Sequence, residues 1–248
     1  VEFAEKNGFY DPAKGPFDFA AAYTRNDERD RIYNDPRVWQ IQKLFNPSVI
    51  QPVDDGREFA VFMKPERKLS VEDAKRVMRD HFDGSEHDPY SNGLNGKEPW
   101  RPVSVFRTYE AHVVQVRPWM PHAIGDVIYI AFGMADLSCF MPFYQGLESV
   151  PEHYQIGTDQ ADSASVYWKF RKLQTLVMTN YEVYAPLVKK AFAEQEQALS
   201  AKQAKLEEEY MALVKTDKEA ATALLQKVNL EMLAETEALC EKLTNQVF

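Results

Sequence analysis

This chain of 248 residues predicts an α+β fold, with a strand layer covered on both faces, helices outside it and a helical pair at the end. Three observations carry the prediction. Two strand-like runs, Ser104–Val116 and Val127–Phe132, flank a loop holding Pro118, Pro121 and Gly125, and a short third run, Cys139–Tyr144, follows. Val, Ile, Tyr and Phe dominate these runs, as strands prefer. The second run is apolar on both sides, with Ile128, Ile130 and Phe132 against Val127, Tyr129 and Ala131, which suits a strand inside a covered layer. From Glu182 onward the composition turns to Ala, Glu, Lys, Leu and Gln with no glycine, which predicts long helices.

Taken in order, residues 1–58 read as loop-rich, punctuated by Gly8, Pro12, Gly15, Pro16, Pro36, Pro47, Pro52 and Gly56. Asn26–Val38 is polar and predicts surface. Val38–Phe45 predicts a short helix, and Phe59–Met63 a strand ended by Lys64–Pro65. Ser70–Phe82 predicts a helix whose N-cap is Ser70, with Asp73 three residues on and a stripe of Val71, Ala74, Val77 and Met78. Asp83–Trp100 is too rich in Gly, Asn, Asp and Pro for regular structure. In the first strand run, alternation puts Arg107, Ala111, Val113, Gln115 and Arg117 on one face, and Glu110, His112, Val114 and Val116 on the other.

Gln145–Gln160 reads as loop, and Ala161–Tyr181 as a buried helix with Asp162 near its start and a stripe of Val166, Phe170, Leu173 and Val177. Two helices then follow, about Ala185–Val214 and Lys218–Asn245, with Pro186 in the first turn. Leu225, Val228, Met232 and Leu239 have heptad-like spacing, and a helical hairpin is the simpler reading than a coiled coil. The expected organisation is a body over residues 1–181 and a helical extension over 182–248 packed on it.

Hydrophobic residues make up 45% of the chain and aromatics 12%, enough for a substantial core. No apolar run approaches a membrane span of about 20 residues, so no membrane partner is expected. A net charge of −9 argues against nucleic acid. Cys139 and Cys240, far apart, make no disulfide framework and point to a reducing, cytoplasmic setting. Val1 is not a natural start residue, so an upstream segment is expected.

The motifs for chemistry are thin. His81, His87, His112, His122 and His153 show no HExxH pattern and there is no CxxC, so no metal site is expected. Asp83, Glu86 and Asp88 share a loop that could hold calcium, but without EF-hand spacing a solvated acidic turn is the better reading. The two cysteines read as structural. Charged groups on a central strand need partners or a cleft, which makes Arg107, His112 and Arg117 the candidates for a site.

Six stretches carry a family resemblance: FDFAAAYT (Phe17–Thr24), YNDPRVW (Tyr33–Trp39), MRDHFDGSEHDPY (Met78–Tyr90), TYEAHVVQVRPWMP (Thr108–Pro121), IAFGMADLSCFMPFY (Ile130–Tyr144) and SVYWKFRKLQTLVMTNY (Ser165–Tyr181). In this order they resemble the C-terminal half of the dipeptidase A group of N-terminal-nucleophile hydrolases, relatives of the secernins. The resemblance implies an αββα sandwich of two antiparallel sheets and hydrolysis of dipeptides with broad specificity. It implies no cofactor. The nucleophile in that group is a cysteine exposed as the first residue, its own α-amine serving as base. Residue 1 here is Val, so that cysteine is expected upstream of this chain. Arg107, His112 and Arg117 are then expected to bind a substrate carboxylate or support the oxyanion, an inference from strand position. Dipeptides, the missing N-terminal half and further copies of the chain are the expected partners. Two alternatives stand beside this reading: an amidohydrolase or acyltransferase of the same fold, and a non-catalytic module acting through the acidic hairpin Ala185–Asn245.

Overall fold

The computed structural model describes residues 1–24, 27–53, 59–90 and 100–248. Contacts gather them into two compact units, one of residues 1–68 with 100–102, the other of residues 69–90 with 103–248.

The first unit is built from short helices: α1 (Glu2–Lys6), α2 (Phe19–Tyr23), α3 (Glu28–Tyr33) and α4 (Asp35–Phe45). Aspartates start two of them. Asp18 Oδ1 accepts from the Ala21 N–H at 2.9 Å, and Asp27 Oδ1 from the Arg29 N–H at 2.8 Å. Pro36 sits in the first turn of α4, where its missing N–H is no loss. The helix expected at Val38–Phe45 therefore starts three residues earlier, and part of the polar Asn26–Val38 stretch is helical. The strand expected at Phe59–Met63 does not form. Val61 and Phe62 are exposed, and no described segment pairs with them, so a ladder there would have no acceptors.

The second unit begins with α5 (Val71–Arg79). Its capping box is complete: Ser70 Oγ accepts from the Asp73 N–H at 3.2 Å, and Asp73 Oδ2 accepts from the Ser70 N–H at 2.8 Å. Three strands follow, β1 (Glu110–Val116), β2 (Asp126–Phe132) and β3 (Met141–Tyr144), in an antiparallel sheet of order β1-β2-β3. The single turn α6 (His122–Gly125) closes the β1–β2 connection, and Val113 pairs with Tyr129. Gly133, at φ +73°, follows β2. A Cβ there would lie 2.1 Å from Gln174 Oε1, which accepts from the Met134 N–H at 3.0 Å. Only glycine permits both the left-handed backbone and this close approach.

The first two strand runs are antiparallel neighbours, as expected, but β1 is shorter than predicted and lies at the sheet edge rather than the centre. Several backbone groups of residues 104–108 are satisfied elsewhere. The Ser104 N–H bonds the Asp80 carbonyl at 2.9 Å, Thr108 closes a turn onto Val105, and Arg171 bonds the carbonyls of Phe106 and Thr108. The two faces also differ. Ala111, Val127, Tyr129 and Ala131 are buried under helices, whereas Val114 and Val116 are 52% and 63% exposed and Ile128 is 41% exposed. Double-sided burial is thus realised on one face only.

The helices α7 (Val166–Val177), α8 (Tyr181–Leu213) and α9 (Lys218–Val247) complete the unit. The expected helix Ala161–Tyr181 stops at Val177, and a turn at Met178–Asn180 starts α8 four residues before the predicted Ala185. Pro186 consequently lies beyond the first turn. The α8–α9 pair is the expected hairpin, with Leu225 and Met232 fully buried and Val228 and Leu239 half-buried against the core.

The hairpin is fastened by three carboxylates. Glu196 accepts from both terminal guanidinium nitrogens of Arg79 and from the Phe140 N–H at 2.6 Å, while Arg79 also donates to the carbonyls of Ala135 and Ser138. Glu207 receives Arg117 through two bonds of 2.8 Å and the Tyr144 hydroxyl at 2.7 Å. Glu237, on α9, pairs with Lys169 at 2.9 Å and His153 at 2.6 Å. Removing one member of such a pair strands the other with little water to solvate it. Glu196→Ala is expected to cost about 3–5 kcal/mol in urea unfolding. A loss below about 1 kcal/mol would show that Arg79 finds another acceptor and that the pair does not hold the hairpin.

Candidate functional site

A cluster of charged groups forms where the loop after α5, the turn after β2 and the start of α8 meet. Phe82, buried at φ +64°, holds the loop in a left-handed turn that an aromatic side chain rarely adopts. The turn is pinned by the Phe82 N–H on Asp80 Oδ1 and by Ser85 on the Phe82 carbonyl. It places His81 inside the protein. His81 Nδ1 lies 3.0 Å from Asp88 Oδ1, and Nε2 lies 3.1 Å from Asp83 Oδ1 and 3.3 Å from Asp136 Oδ2. Lys189 Nζ donates to Asp136 Oδ1 at 2.7 Å, and the Tyr181 hydroxyl donates to Asp136 Oδ2. Tyr181 and Lys189 are eight residues apart on α8 and so share one face.

Three carboxylates against two cations set the protonation. Burial by itself would lower the His81 pKa, but hydrogen bonds and charge from Asp136 and Asp83 outweigh it and raise the ring to about 10. Asp136 and Asp83 are held below the ordinary carboxylate range: burial opposes this, and His81 and Lys189 prevail. The Tyr181 phenol is pushed up by burial and by Asp136. The raised pKa favours the imidazolium, and the contacts of His81, Tyr181 and Lys189 with Asp136 clasp three chain segments together.

His81, Asp83 and Asp136 have ligand atoms within 4.8 Å of one another, a spacing open to a metal ion, but the Lys189 ammonium already supplies positive charge there. The acidic loop does not gather as a calcium loop would. Asp88 is buried on His81, Asp83 is half-exposed beside it, and the Glu86 side chain is 89% exposed. The solvated turn predicted from the sequence holds for Asp83 and Glu86 but not for Asp88, which is desolvated.

The sequence-predicted residues fall in three different environments. Arg107 is exposed in the loop before β1. Arg117 has its guanidinium saturated by Glu207 and by the Ile124 carbonyl, and its pKa is raised, first by the Glu207 bond. His112 stands on the open face of β1, half-exposed, with Nδ1 3.0 Å from Glu110 Oε1. Beside it Ile128, Ile130, Phe132, Phe143 and Tyr154 line a cleft of about 470 Å³. With Nδ1–H donating to Glu110, Nε2 accepts when the ring is neutral and donates when it is charged. Cys139 and Cys240 are buried, and burial pushes the first thiol well up and the second to about 12, so both are inert as nucleophiles. Asp136, Tyr181 and Lys189 escaped the sequence reading. The acidic loop with Asp83 and Asp88 was the part of the cluster visible in the sequence.

The clasp predicts a pH dependence. A group whose folded pKa is raised stabilises fully below its unfolded value, and that contribution is lost as pH rises through the folded value. His81 should thus contribute fully below about pH 6.5, its unfolded value, and lose that contribution toward about 10. The depressed carboxylates act oppositely and lose theirs as pH falls below about 4. Melting temperature against pH should show the alkaline decline in the native chain and a flatter limb in His81→Gln. Parallel curves above pH 6.5 would place the charge elsewhere.

Comparison with known proteins agrees over most of the chain. The family described as Peptidase family C69 matches residues 1–194. A "Probable dipeptidase" of Salmonella dublin is 51% identical over 160 residues, covering 64% of this chain and 36% of the relative. A "Probable dipeptidase" of Latilactobacillus sakei is 30% identical over 200 residues, covering 80% of this chain and 41% of the relative. A "Probable dipeptidase A" of Streptococcus pyogenes serotype M3 (strain SSI-1) is 32% identical over 164 residues, covering 64% and 35%. The chain thus spans between a third and a half of the length of these curated relatives. With the family matching more than three-quarters of its residues, the chain belongs to Peptidase family C69.

Proposed function

We propose that the chain is the C-terminal portion of a cysteine-type dipeptidase of broad specificity. The observation that carries this is the match of residues 1–194 to the family, together with relatives named as dipeptidases. In this reading the nucleophile is an N-terminal cysteine outside the chain. Its α-amine, near its ordinary pKa of about 7.7–8.0, takes the thiol proton, and the thiolate attacks the peptide carbonyl. The inertness of both internal cysteines supports a nucleophile elsewhere.

The open sheet face supports a second part of the proposal, an αββα sandwich. Val114, Val116 and Ile128 leave apolar area that a second sheet would bury, at roughly 25 cal/mol per Å². His112 would then lie between the sheets, where its imidazolium form could donate to the substrate carboxylate or the oxyanion. Arg107, exposed, is free to meet a carboxylate, whereas a substrate would have to displace Glu207 to reach Arg117. The chemistry as proposed uses no cofactor, and the absence of a membrane-spanning helix among the described residues suits the proposed cytoplasmic setting.

The purified chain is expected not to hydrolyse a panel of dipeptides, and the panel should be turned over once the upstream half is supplied. Cys139→Ala and Cys240→Ala in that reconstituted protein should keep turnover in step with their stability. Turnover by the chain alone that vanishes in either variant would make an internal cysteine the nucleophile. Turnover of acylated amines in place of dipeptides would favour the amidohydrolase reading.

A further inference from the structure

Arginines gather around Tyr33, where α3 ends and α4 begins. Arg37, in the first turn of α4, reaches back. Its Nε donates to the Tyr33 carbonyl at 2.6 Å and its Nη2 to Asn34 Oδ1 at 2.8 Å. Asn34 is itself fixed, its Nδ2 donating to Asp30 Oδ1 at 2.6 Å. Arg101 comes to the same place from a distant part of the chain. Its N–H bonds the Ile32 carbonyl at 3.0 Å, and the neighbouring Trp100 ring meets Trp39 edge-on at 6.2 Å. The Arg101 guanidinium lies 5.6 Å from the centre of the Tyr33 ring.

These two guanidiniums are uncompensated. Neither has a carboxylate within ion-pair distance among the described residues. The Arg101 guanidinium makes no hydrogen bond among them, and its Nε is buried in that state, with its desolvation unrepaid. Arg37 leaves Nη1 open. The acids nearest in sequence are engaged elsewhere. Asp27 accepts from the Arg29 N–H at the start of α3, Asp30 holds Asn34, and Asp35 sits in the first turn of α4, the end of a helix that favours an anion. Arg37 brings a cation to that same end. Its pKa is lowered, by burial first and then by the charge of Arg101. Two half-buried like charges within reach of one another leave room for an anion to bridge them.

We propose that Arg37 and Arg101 bind a phosphoryl dianion, free or as the ester of a small molecule. Its oxygens accept from the terminal nitrogens of Arg101 and from Arg37 Nη1, and its two charges match the two guanidiniums. A single carboxylate would leave one of those charges without a counterpart. Tyr33, partly exposed, lies beside the bound group, and Arg29, exposed and 5.9 Å from the same ring, stands at the rim. The site does not depend on the chain being part of a dipeptidase.

Inorganic phosphate is titrated into the full chain at constant ionic strength and mildly alkaline pH, and the side-chain Nε–H signals of Arg37 and Arg101 are followed. Saturable shifts at both are expected, with acetate bound at least tenfold more weakly. Arg101→Lys keeps the charge but loses the fork, and should weaken phosphate about tenfold while the chain stays folded. Arg37→Gln should do the same. Arg31→Gln removes an equal charge from the exposed side of α3 and should leave phosphate binding unchanged. Phenyl phosphate separates the two sources. Binding as tight as phosphate or tighter points to an ester, and weaker binding to the free ion. Acetate binding as well as phosphate would overturn the choice of a dianion. Undiminished binding in both Arg101→Lys and Arg37→Gln, or an equal loss in Arg31→Gln, would overturn the site.

Discussion

The second unit depends on carboxylates that the long helices carry into the core. Glu196 and Glu207 are eleven residues apart on α8, about three turns, so they project from one face at two heights. Isolated, each would carry a desolvation penalty of several kcal/mol. Neither is isolated. Glu196 meets a guanidinium and a backbone N–H, and Glu207 a guanidinium and a phenol. The geometry leaves few alternatives: moving α8 by one residue would rotate both carboxylates by about 100° away from their donors. Hydrophobic burial drives the helices onto the sheet, and the ion pairs select the register. Other buried polar groups of the hairpin are paired as well, although the Asn229 Oδ1 is buried without a partner. Thr236 and Thr244 return their hydroxyls to the carbonyls four residues back, and Asn229 donates to the Pro142 carbonyl at 2.8 Å.

This fastening bears on the reading of the hairpin as a separate interaction module. Three of its carboxylates, Glu196, Glu207 and Glu237, are directed at Arg79 of α5, Arg117 after β1, His153 after β3 and Lys169 of α7, whereas Glu194, Glu231 and Glu241 remain exposed. Arg117 illustrates how a strand-end arginine can serve architecture. Its two nitrogens bind one carboxylate in the fork geometry that guanidinium prefers, and its third contact closes the β1–β2 connection. His112, two pairs along from the open end of the same strand, faces the other way because side chains alternate, and so remains accessible.

The sheet divides the unit's chemistry. One face, with Ala111, Val127, Tyr129 and Ala131, belongs to the helices. The other is apolar but incompletely covered by Tyr154 and Val150. An edge strand and a half-covered face are arrangements that proteins seldom leave open to water.

Local signals were sufficient for much of this in the sequence. The capping box of Ser70 and Asp73, the antiparallel pairing of two β-branched runs across a Pro-rich connection, and the glycine-free helical tail are encoded in neighbours a few residues apart. The stretches that carried the family resemblance were legible for the same reason. What the sequence could not decide was which charged residue meets which. The clasp joins both His81 and Lys189 to Asp136, each more than fifty positions away, and the ion pairs join Arg79 to Glu196 and Arg117 to Glu207. Such pairs leave no periodicity, because a charge destined for burial looks in sequence like one destined for solvent. The strand limits failed on the same ground: Ser104–Thr108 lies in a run of strand composition, but Arg171 and the Asp80 carbonyl reach its backbone first. Backbone propensity is local and survives in the sequence, whereas desolvation and pairing are properties of a neighbourhood that exists only once the chain has folded.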